Sequence, residues 1–241
     1  MASSSERSNA IVILGIARSG TSALAGALAA MGVEFGEQLK PADWQNPKGN
    51  FEHAELSQIN QQLLSLFGLT WSSGKLPPAN WLQHRDVLKL ASRIEQVIAR
   101  DFGHSRLFGI KDPRLVQLWP LYCRLLGERS GISIVTLERS REEVTRSIRR
   151  SGYLHGFAFP GRLKRLYDFY MQQLETLRQN EGAVRVRHSE LIYDPGAVLG
   201  QLVQQLPFHE AGIVPQLAQG VSFIDCALHR QRQALQERAT R

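Results

Sequence analysis

The feature that most limits the folds open to this chain is a short unit near its start, in which an apolar run leads through a glycine loop into a second apolar segment. Residues 10–16 (AIVILGI) form a β-branched run of the length of a buried strand. A loop follows at residues 18–22 (RSGTS), and residues 21–31 are rich in alanine and leucine, which predicts a helix that ends at Gly32. Such a loop directs backbone N–H groups and a helix N-terminus at one point, which suits a phosphate.

The remaining sequence alternates short strand patterns with longer helix patterns. Further strands are predicted at residues 107–110, 132–137 and 184–186. Helices are predicted at residues 54–66, 81–100, 116–126, 142–150, 163–177 and 196–206. This order predicts an α/β fold with a parallel sheet flanked by helices on both faces. No composition shift marks a boundary, so we expect a disordered polar segment at residues 1–9 and a single domain at residues 10–241.

Composition supports a folded chain and points to an anionic partner. The chain has 241 residues of which 43% are hydrophobic, enough for a core, and its formal net charge is +7. That excess favours nucleic acid, a membrane surface or a phosphorylated small molecule as partner. Two cysteines, Cys123 and Cys226, are too few for a disulfide framework, and no apolar stretch is long enough to span a bilayer. With no signal-peptide pattern at the N-terminus, a soluble cytoplasmic protein is expected.

The first loop nearly matches the nucleotide-binding pattern G-x4-G-K-[ST]. Gly15 and Gly20 occupy the two glycine positions, but Thr21 replaces the lysine that normally reaches the terminal phosphates of ATP or GTP. The only cation of the loop is Arg18. The alternative is an ordinary strand–helix turn capped by Ser19 or Thr21.

A second basic position follows the third predicted strand. Arg139 lies at the carboxyl end of that strand, where ligands bind in parallel sheets, and Ser147 follows eight residues later, about two helical turns in. An arginine fork and a hydroxyl donor suit a phosphate. A solvated basic helix is the alternative.

Together the two units resemble the sulfotransferase family that uses 3′-phosphoadenosine-5′-phosphosulfate. That family has an [RK]-S-G-T-[ST] loop for the 5′-phosphosulfate, matched by residues 18–22, and an Arg-x7-Ser pattern for the 3′-phosphate, matched by Arg139 and Ser147. Residues 46–52 (NPKGNFE) and 111–114 (KDPR) are similar to two further segments of bacterial members, and residues 191–195 resemble their strand-to-helix link. The resemblance covers residues 11–206. The glycine-rich C-terminal loop of the cytosolic eukaryotic branch is absent, and the substitutes considered are His229, Arg230 and Arg232.

The resemblance implies a P-loop NTPase-like sulfotransferase architecture and a reaction. A sulfuryl group moves in line from the cofactor to an acceptor hydroxyl, or an amine, without a metal, and adenosine 3′,5′-bisphosphate leaves. The implied cofactor-binding residues are Arg18, Ser19, Gly20, Thr21, Ser22, Arg139 and Ser147.

The resemblance also suggests catalytic roles. Arg18 would stabilise the leaving phosphate, and Lys111 would contact the reacting group. Glu52, which ends the NPKGNFE segment, is the first candidate for the base, with His53 and Glu37 as rivals.

Several positions keep two interpretations. Asp112 and Arg114 either form an ion pair that holds the loop or contact the substrate. The aromatic residues Trp44, Phe51, Trp71 and Trp81 either pack internally or bind the acceptor, and residues 151–161 are either a lid or a plain connection. The seven histidines show no metal-ligand spacing, so no metal site is expected.

Two other functions compete with this one. A nucleotide kinase or NTPase with a degenerate loop would need Mg-ATP and an acidic metal ligand, for which Glu138 and Asp112 are the candidates. A basic nucleic-acid-binding module would show steeply salt-dependent binding, but the cations are scattered and no nucleic-acid motif is present, so nucleic acid is not expected as a partner. The acceptor itself, whether a saccharide, lipid, peptide or small metabolite, is not named by the sequence.

Overall fold

A single parallel sheet organises the computed structural model, which describes residues 8–44, 46–151 and 160–224. Its four strands are β1 (Ser8–Leu14), β2 (Leu107–Lys111), β3 (Ser130–Glu138) and β4 (Val184–Arg187). They lie in the order β2-β1-β3-β4, and every neighbouring pair is parallel. The α/β fold with a parallel sheet predicted from the sequence is confirmed.

The β-branched character of β1 follows from its central place in the sheet. Val12 pairs with Ile110 on one side and with Ile134 on the other. Side chains of β1 alternate between two cores, with Ala10, Val12 and Leu14 in one, and Ile11 and Ile13 in the other. Because both faces of the strand are buried, the sequence reads as a continuous apolar run rather than as an alternating one.

Helices cover both faces of the sheet. They are α1 (Thr21–Ala30), α2 (Ala54–Ser65), α3 (Arg85–Phe102), α4 (Leu115–Gly127), α5 (Arg141–Arg150), α6 (Pro160–Glu181), α7 (His188–Tyr193), α8 (Pro195–Gln205) and α9 (Leu217–Phe223). Helices α2, α3, α4, α5 and α6 contribute side chains to one core, whereas α1, α7 and α8 contribute to the other. Within the described ranges, no helix is both long enough and apolar enough to cross a membrane.

Two predicted boundaries differ from the structure. Strand β1 starts at Ser8, because its pairing with β3 begins there and the N–H of Asn9 donates to the carbonyl of Arg106 at 2.9 Å. Ser8 and Asn9, which the sequence analysis assigned to a disordered segment, therefore belong to this strand. The helix predicted at residues 81–100 is interrupted, since a 3-10 turn at Trp81–Gln83 precedes α3 and the His84 ring caps α3 by accepting from Asp86 N–H at 3.2 Å.

One predicted connection is wrong. Residues 191–195, expected to link a strand to a helix, join two helices instead, since α7 begins directly after β4. Asp194 separates α7 from α8, and its carboxylate accepts from the N–H of Ala197 at 2.9 Å. An aspartate N-cap followed by proline in the first turn favours the start of a helix, and this signal does not depend on whether a strand or a helix comes before it.

The strand order places a topological switch between β1 and β3. The chain passes from β1 to β2 on one side and then crosses to β3 and β4 on the other. In open parallel sheets, ligands bind beyond the carboxyl ends of the strands at such a switch. The loop after β1 and the residue after β3, Arg139, both lie there.

Candidate functional site

The loop between β1 and α1 is shaped by left-handed residues and by a close packing contact. Arg18 and Gly20 have φ angles of 71° and 105°, and Ser19 N–H donates to the carbonyl of Ile16 at 3.1 Å. A Cβ on Gly15 would lie 2.9 Å from the carbonyl oxygen of Leu137, so a glycine there lets the loop lie against β3. The loop is thus pressed against the end of the neighbouring strand.

The start of α1 is not closed by its own side chains. Gly20 is the N-cap residue, and no side chain accepts a hydrogen bond at this end of the helix. The capped turn considered as the alternative, with Ser19 or Thr21 as cap, is therefore wrong. Ser19 is fully buried, and its hydroxyl has no hydrogen-bond partner among the described residues. Free N–H groups and a buried hydroxyl in one loop are suited to hold an anion.

The structure brings together the two basic units that lie far apart in the sequence. Arg18 Nε donates to Ser147 Oγ at 3.1 Å, and Arg139 Nη1 donates to the carbonyl of Arg18 at 3.3 Å. Tyr167 Oη donates to the carbonyl of Arg139 at 2.9 Å, which ties this arrangement to α6. Arg18, Arg139 and Ser147 thus form one cluster at the switch point.

Arg139 is largely buried in this cluster. Burial lowers the pKa of its guanidinium, the Glu143 carboxylate 3.4 Å away opposes that change, and the nearby Arg146 cation adds to it. An anion bound beside Arg139 would offset the cost of burying this cation.

Lys111 connects β2 to the loop after β1 and to the segment at residues 46–52. Its ammonium donates to Ser22 Oγ at 3.0 Å, to the carbonyl of Asn50 at 3.0 Å and to Glu52 Oε1 at 2.8 Å. The Lys111 side chain is only 5% exposed. This lysine therefore stands beside the first turn of α1, next to the uncapped N–H groups.

Glu52 lies between two lysines. Its second oxygen accepts from Lys40 Nζ at 2.8 Å, and Lys40 is one-third exposed. Burial by itself would raise the pKa of Glu52, but Lys111 and Lys40 outweigh it and lower the pKa to about 2. Glu52 is consequently ionised at neutral pH and accepts a proton poorly while both lysines hold it.

Lys40 is the functional candidate that the sequence did not reveal. It lies in the loop after α1, twelve residues before Glu52, and no motif marks it. The Lys40 N–H also donates to the carbonyl of Glu52 at 2.8 Å, within a short antiparallel contact in which Leu39 pairs with His53. Such pairing of two irregular segments has no periodic signature in the sequence.

The two rival base candidates lie in other settings. The buried His53 caps α2: its Nδ1 accepts from Leu56 N–H at 3.3 Å and its Nε2 lies 2.9 Å from Asp101 Oδ2. Glu37 is exposed in the loop that follows α1. Of the three candidates, Glu52 is the one bonded to Lys111.

Asp112 and Arg114 form the ion pair that the sequence analysis considered. Arg114 Nη1 lies 2.9 and 3.0 Å from the two carboxylate oxygens, and Asn60 Nδ2 donates to the same carboxylate at 3.2 Å. Burial raises the pKa of Asp112 and Arg114 opposes it. Glu138, the other candidate metal ligand, pairs with Arg178 at 2.6 Å. Both acids are thus neutralised by arginines, and the described residues include no group of three metal-ligating side chains.

The loop before Glu52 is held by its own polar side chains and by ring packing. Asn50 accepts from Asn46 Nδ2 at 2.6 Å and donates to the carboxylate of Asp43 at 3.2 Å. Phe51, with a φ of 54°, packs edge-on against Phe35 and Phe223.

The aromatic residues of this region divide between packing and exposure. Trp81 belongs to a core, Trp71 packs against it, and Trp44 is 75% exposed. Most of the predicted lid at residues 151–161, and the tail with His229, Arg230 and Arg232, lie outside the described residues.

The fold is similar to that of solved structures. No family model matches the chain, and no curated protein matches it. A solved structure, the sulfotransferase domain from the curacin biosynthetic pathway, is similar at 18% identity and a TM-score of 0.48, over 86% of this chain and 77% of that chain.

Proposed function

We propose that this protein is a sulfotransferase that moves a sulfuryl group from 3′-phosphoadenosine-5′-phosphosulfate to an acceptor hydroxyl, or to an amine. The observation that carries the proposal is the single cluster of Arg18, Ser147 and Arg139 at the switch point, where Arg18 Nε bonds Ser147 Oγ at 3.1 Å. Two phosphate-binding patterns separated by more than 120 residues meet there beside an uncapped helix.

The residues present fit such a nucleotide. The buried, unpartnered hydroxyl of Ser19 and the uncapped start of α1 offer donors to a phosphate or sulfate oxygen. With Thr21 in place of the lysine of ATP-binding loops, Arg18 supplies the only cation of the loop. These features suit a nucleotide such as the phosphosulfate, which has no metal-bound triphosphate.

Each residue of the cluster then has a role. Arg18, Ser19, Gly20, Thr21 and Ser22 would hold the 5′-phosphosulfate, and Arg139 with Ser147 would hold the 3′-phosphate. The nucleotide supplies the sulfuryl group and a leaving phosphate when bound. The Arg18 guanidinium and the N–H groups of α1 stabilise the negative charge that gathers on that phosphate.

Lys111 and Glu52 would act on the reacting atoms. The three N–H donors of Lys111 are all used, by Ser22, by the carbonyl of Asn50 and by Glu52, so this ammonium would donate to an oxygen of the transferred group by giving up one of those bonds. Glu52 accepts the acceptor's proton. Because two lysines hold its pKa near 2, this role requires that at least one of them turns away from the carboxylate when the site is filled.

A titration of the full chain with adenosine 3′,5′-bisphosphate and, separately, with Mg-ATP tests the proposal. We expect the bisphosphate to bind in the micromolar range or tighter, and Mg-ATP to bind far more weakly because the loop has no lysine for the terminal phosphates. Tight Mg-ATP binding with no bisphosphate binding would overturn the proposal and favour a kinase or NTPase. Transfer of labelled sulfate from the cofactor to a panel of saccharide, lipid, peptide and small phenolic acceptors then identifies the substrate class.

A further inference from the structure

A basic groove lies along the exposed surface of α5, near the proposed nucleotide cluster. Its volume is about 690 Å³, and it is open to solvent between α5 and the start of α6. Five of its lining side chains are cationic and one is acidic. They are Arg141, Arg146, Arg149, Arg150 and Lys164, with Glu142 as the acid.

Helix α5 contributes to the proposed nucleotide site through Ser147 and to the groove through its arginines, and one of these, Arg146, is close enough to Arg139 to lower the pKa of that guanidinium. Ser147 faces Arg18, and Val144 and Ile148 are buried in the core under the helix. Arg146 and Arg149 lie on the remaining surface of the same helix and line the groove. Two different faces of one helix therefore carry two basic sites.

Ordinary helix electrostatics explain only part of this charge. Arg149 and Arg150 lie in the last turn of α5, where cations interact favourably with the helix dipole. Arg141 lies in the first turn of the same helix, where a cation is disfavoured. Arg146 lies between these ends and gains little from the dipole. The two segments that line the groove, α5 and the start of α6, thus bring cations together irrespective of the dipole.

The cations of the groove are poorly neutralised by the protein itself. Lys164 pairs with Asp168 at 2.7 Å, and Arg141 lies 3.8 Å from Glu142. Within the part of the chain that the structure describes, Arg146, Arg149 and Arg150 form no ion pair with a carboxylate. Like charges held close together repel one another, and a bound anion relieves that repulsion.

We infer that this groove is a binding site for a compact small molecule that carries several tetrahedral oxyanions, sulfate or phosphate. A volume of about 690 Å³ is that of a small-molecule pocket, in the range of a substituted disaccharide. Guanidinium forks bind tetrahedral oxyanions with two parallel hydrogen bonds, so a group of arginines selects them over single carboxylates. The site is separate from the nucleotide cluster, and its existence does not depend on sulfuryl transfer.

Calorimetric titration of the full chain with sucrose octasulfate tests this site, with inositol hexakisphosphate as the phosphate-bearing probe and unmodified sucrose as the uncharged control. We expect both polyanions to bind and sucrose not to bind. Arg146→Gln combined with Arg149→Gln should weaken binding of the polyanions at least about tenfold, because each lost fork removes charged hydrogen bonds. Unchanged affinity in this double variant overturns the proposal.

A matched control removes the same charge elsewhere. Arg124→Gln with Arg129→Gln changes two exposed arginines near the amino end of β3, and should leave the affinity within about twofold because distant surface charges are screened. Arg146→Lys with Arg149→Lys keeps the charge but loses the fork, and should give an intermediate affinity. Equal losses in the two glutamine pairs would show a non-specific charge effect and overturn the site.

Competition separates this site from the nucleotide site. A saturating concentration of adenosine 3′,5′-bisphosphate should leave the affinity for sucrose octasulfate unchanged. One-for-one displacement would place the probe in the Arg18 cluster and overturn the separate groove. If the bisphosphate does not bind at all, the proposed transfer reaction fails while the groove is still tested by the arginine variants. Tighter binding of a short RNA than of either polyanion would also overturn the assignment to a small molecule.

Discussion

Two helix starts in this protein are built in opposite ways. At α8, the carboxylate of Asp194 accepts from Ala197 N–H at 2.9 Å, and Pro195 in the first turn has no N–H to satisfy. At α1, the cap is Gly20, and among the residues that the structure describes no side chain caps the helix and none bonds the buried hydroxyl of the neighbouring Ser19. The start of α8 satisfies its own donors, whereas the start of α1 has donors that the proposed nucleotide would satisfy.

The contrast extends to the charges around each start. The α1 loop contains Arg18 and adjoins Lys111, which is bonded to Ser22. Asp194 supplies the α8 start with a negative charge of its own. The cations near the start of α1 would attract an anion, whereas the start of α8 already has the carboxylate of Asp194. Substitutions at the two helix starts should therefore have different effects.

The largest expected effect is at Arg18. Arg18→Ala should abolish sulfuryl transfer and weaken binding of adenosine 3′,5′-bisphosphate by at least about a hundredfold, since the loop loses its only cation and the bond to Ser147. Calorimetry and a transfer assay measure both. Arg129→Ala, at an exposed position before β3, is the control and should bind normally. Normal bisphosphate binding by Arg18→Ala would contradict the assignment of this loop.

Glu52→Gln should have the next largest effect, on turnover alone. A proton acceptor contributes roughly 10²–10⁴-fold to the rate, so kcat should fall by about that factor. Bisphosphate affinity should stay nearly unchanged, because Glu52 reaches the α1 loop only through Lys111. Normal turnover in this variant would show that Glu52 is not the base, and parallel losses of affinity and turnover would assign it a positioning role.

The same variant has a defined pH signature in stability. The pKa of Glu52 is lowered from 4.5 to about 2 in the folded protein, so its ion pairs stabilise the fold above pH 4.5, and that contribution is lost as the pH falls toward 2. Urea unfolding of the wild type and Glu52→Gln should therefore differ most near pH 6 and converge toward pH 2. A constant difference across that range would contradict the lowered pKa.

Ser19→Ala tests whether a single hydroxyl of the α1 loop serves ligand binding or the stability of the fold. Removing a buried hydroxyl that has no protein partner should leave the free energy of unfolding unchanged or raise it slightly. Bisphosphate binding should weaken about tenfold if the hydroxyl serves the ligand. Thermal unfolding and calorimetry on the same samples separate the two effects. A loss of stability without a loss of affinity would show that Ser19 supports the fold.

Asp194→Ala should give the smallest effect and the opposite pattern. Loss of the cap should lower the free energy of unfolding by about 1 kcal/mol. Binding of the bisphosphate should be unchanged, because the Asp194 carboxylate bonds the first turn of α8 and no described contact joins it to the α1 loop. Asp194→Asn, which can still accept the hydrogen bond, should restore most of the stability. Weaker nucleotide binding in Asp194→Ala would remove the contrast between the two helix starts.

Local signals predicted the parts of the molecule that are built from neighbouring residues. The apolar run of β1, the glycine loop after it and the alanine-rich α1 appear in the structure close to their predicted bounds. Asp112 and Arg114 lie only two residues apart, so the sequence also indicated that they could form an ion pair. The break at His84 was missed, because a histidine ring that caps a helix has the same sequence signature as a histidine inside one.

The sequence by itself determined the four strands and most of the helices, and which of these segments carry basic residues. These properties depend on side chains within one or two turns of each other, where periodicity and capping act. Only the tertiary structure decided that Arg18 meets Ser147, that Glu52 lies between Lys40 and Lys111, and that the cations of α5 and α6 surround a groove. Those contacts arise from strand order and from the pairing of irregular loops, for which burial and charge, rather than local pattern, select the partners.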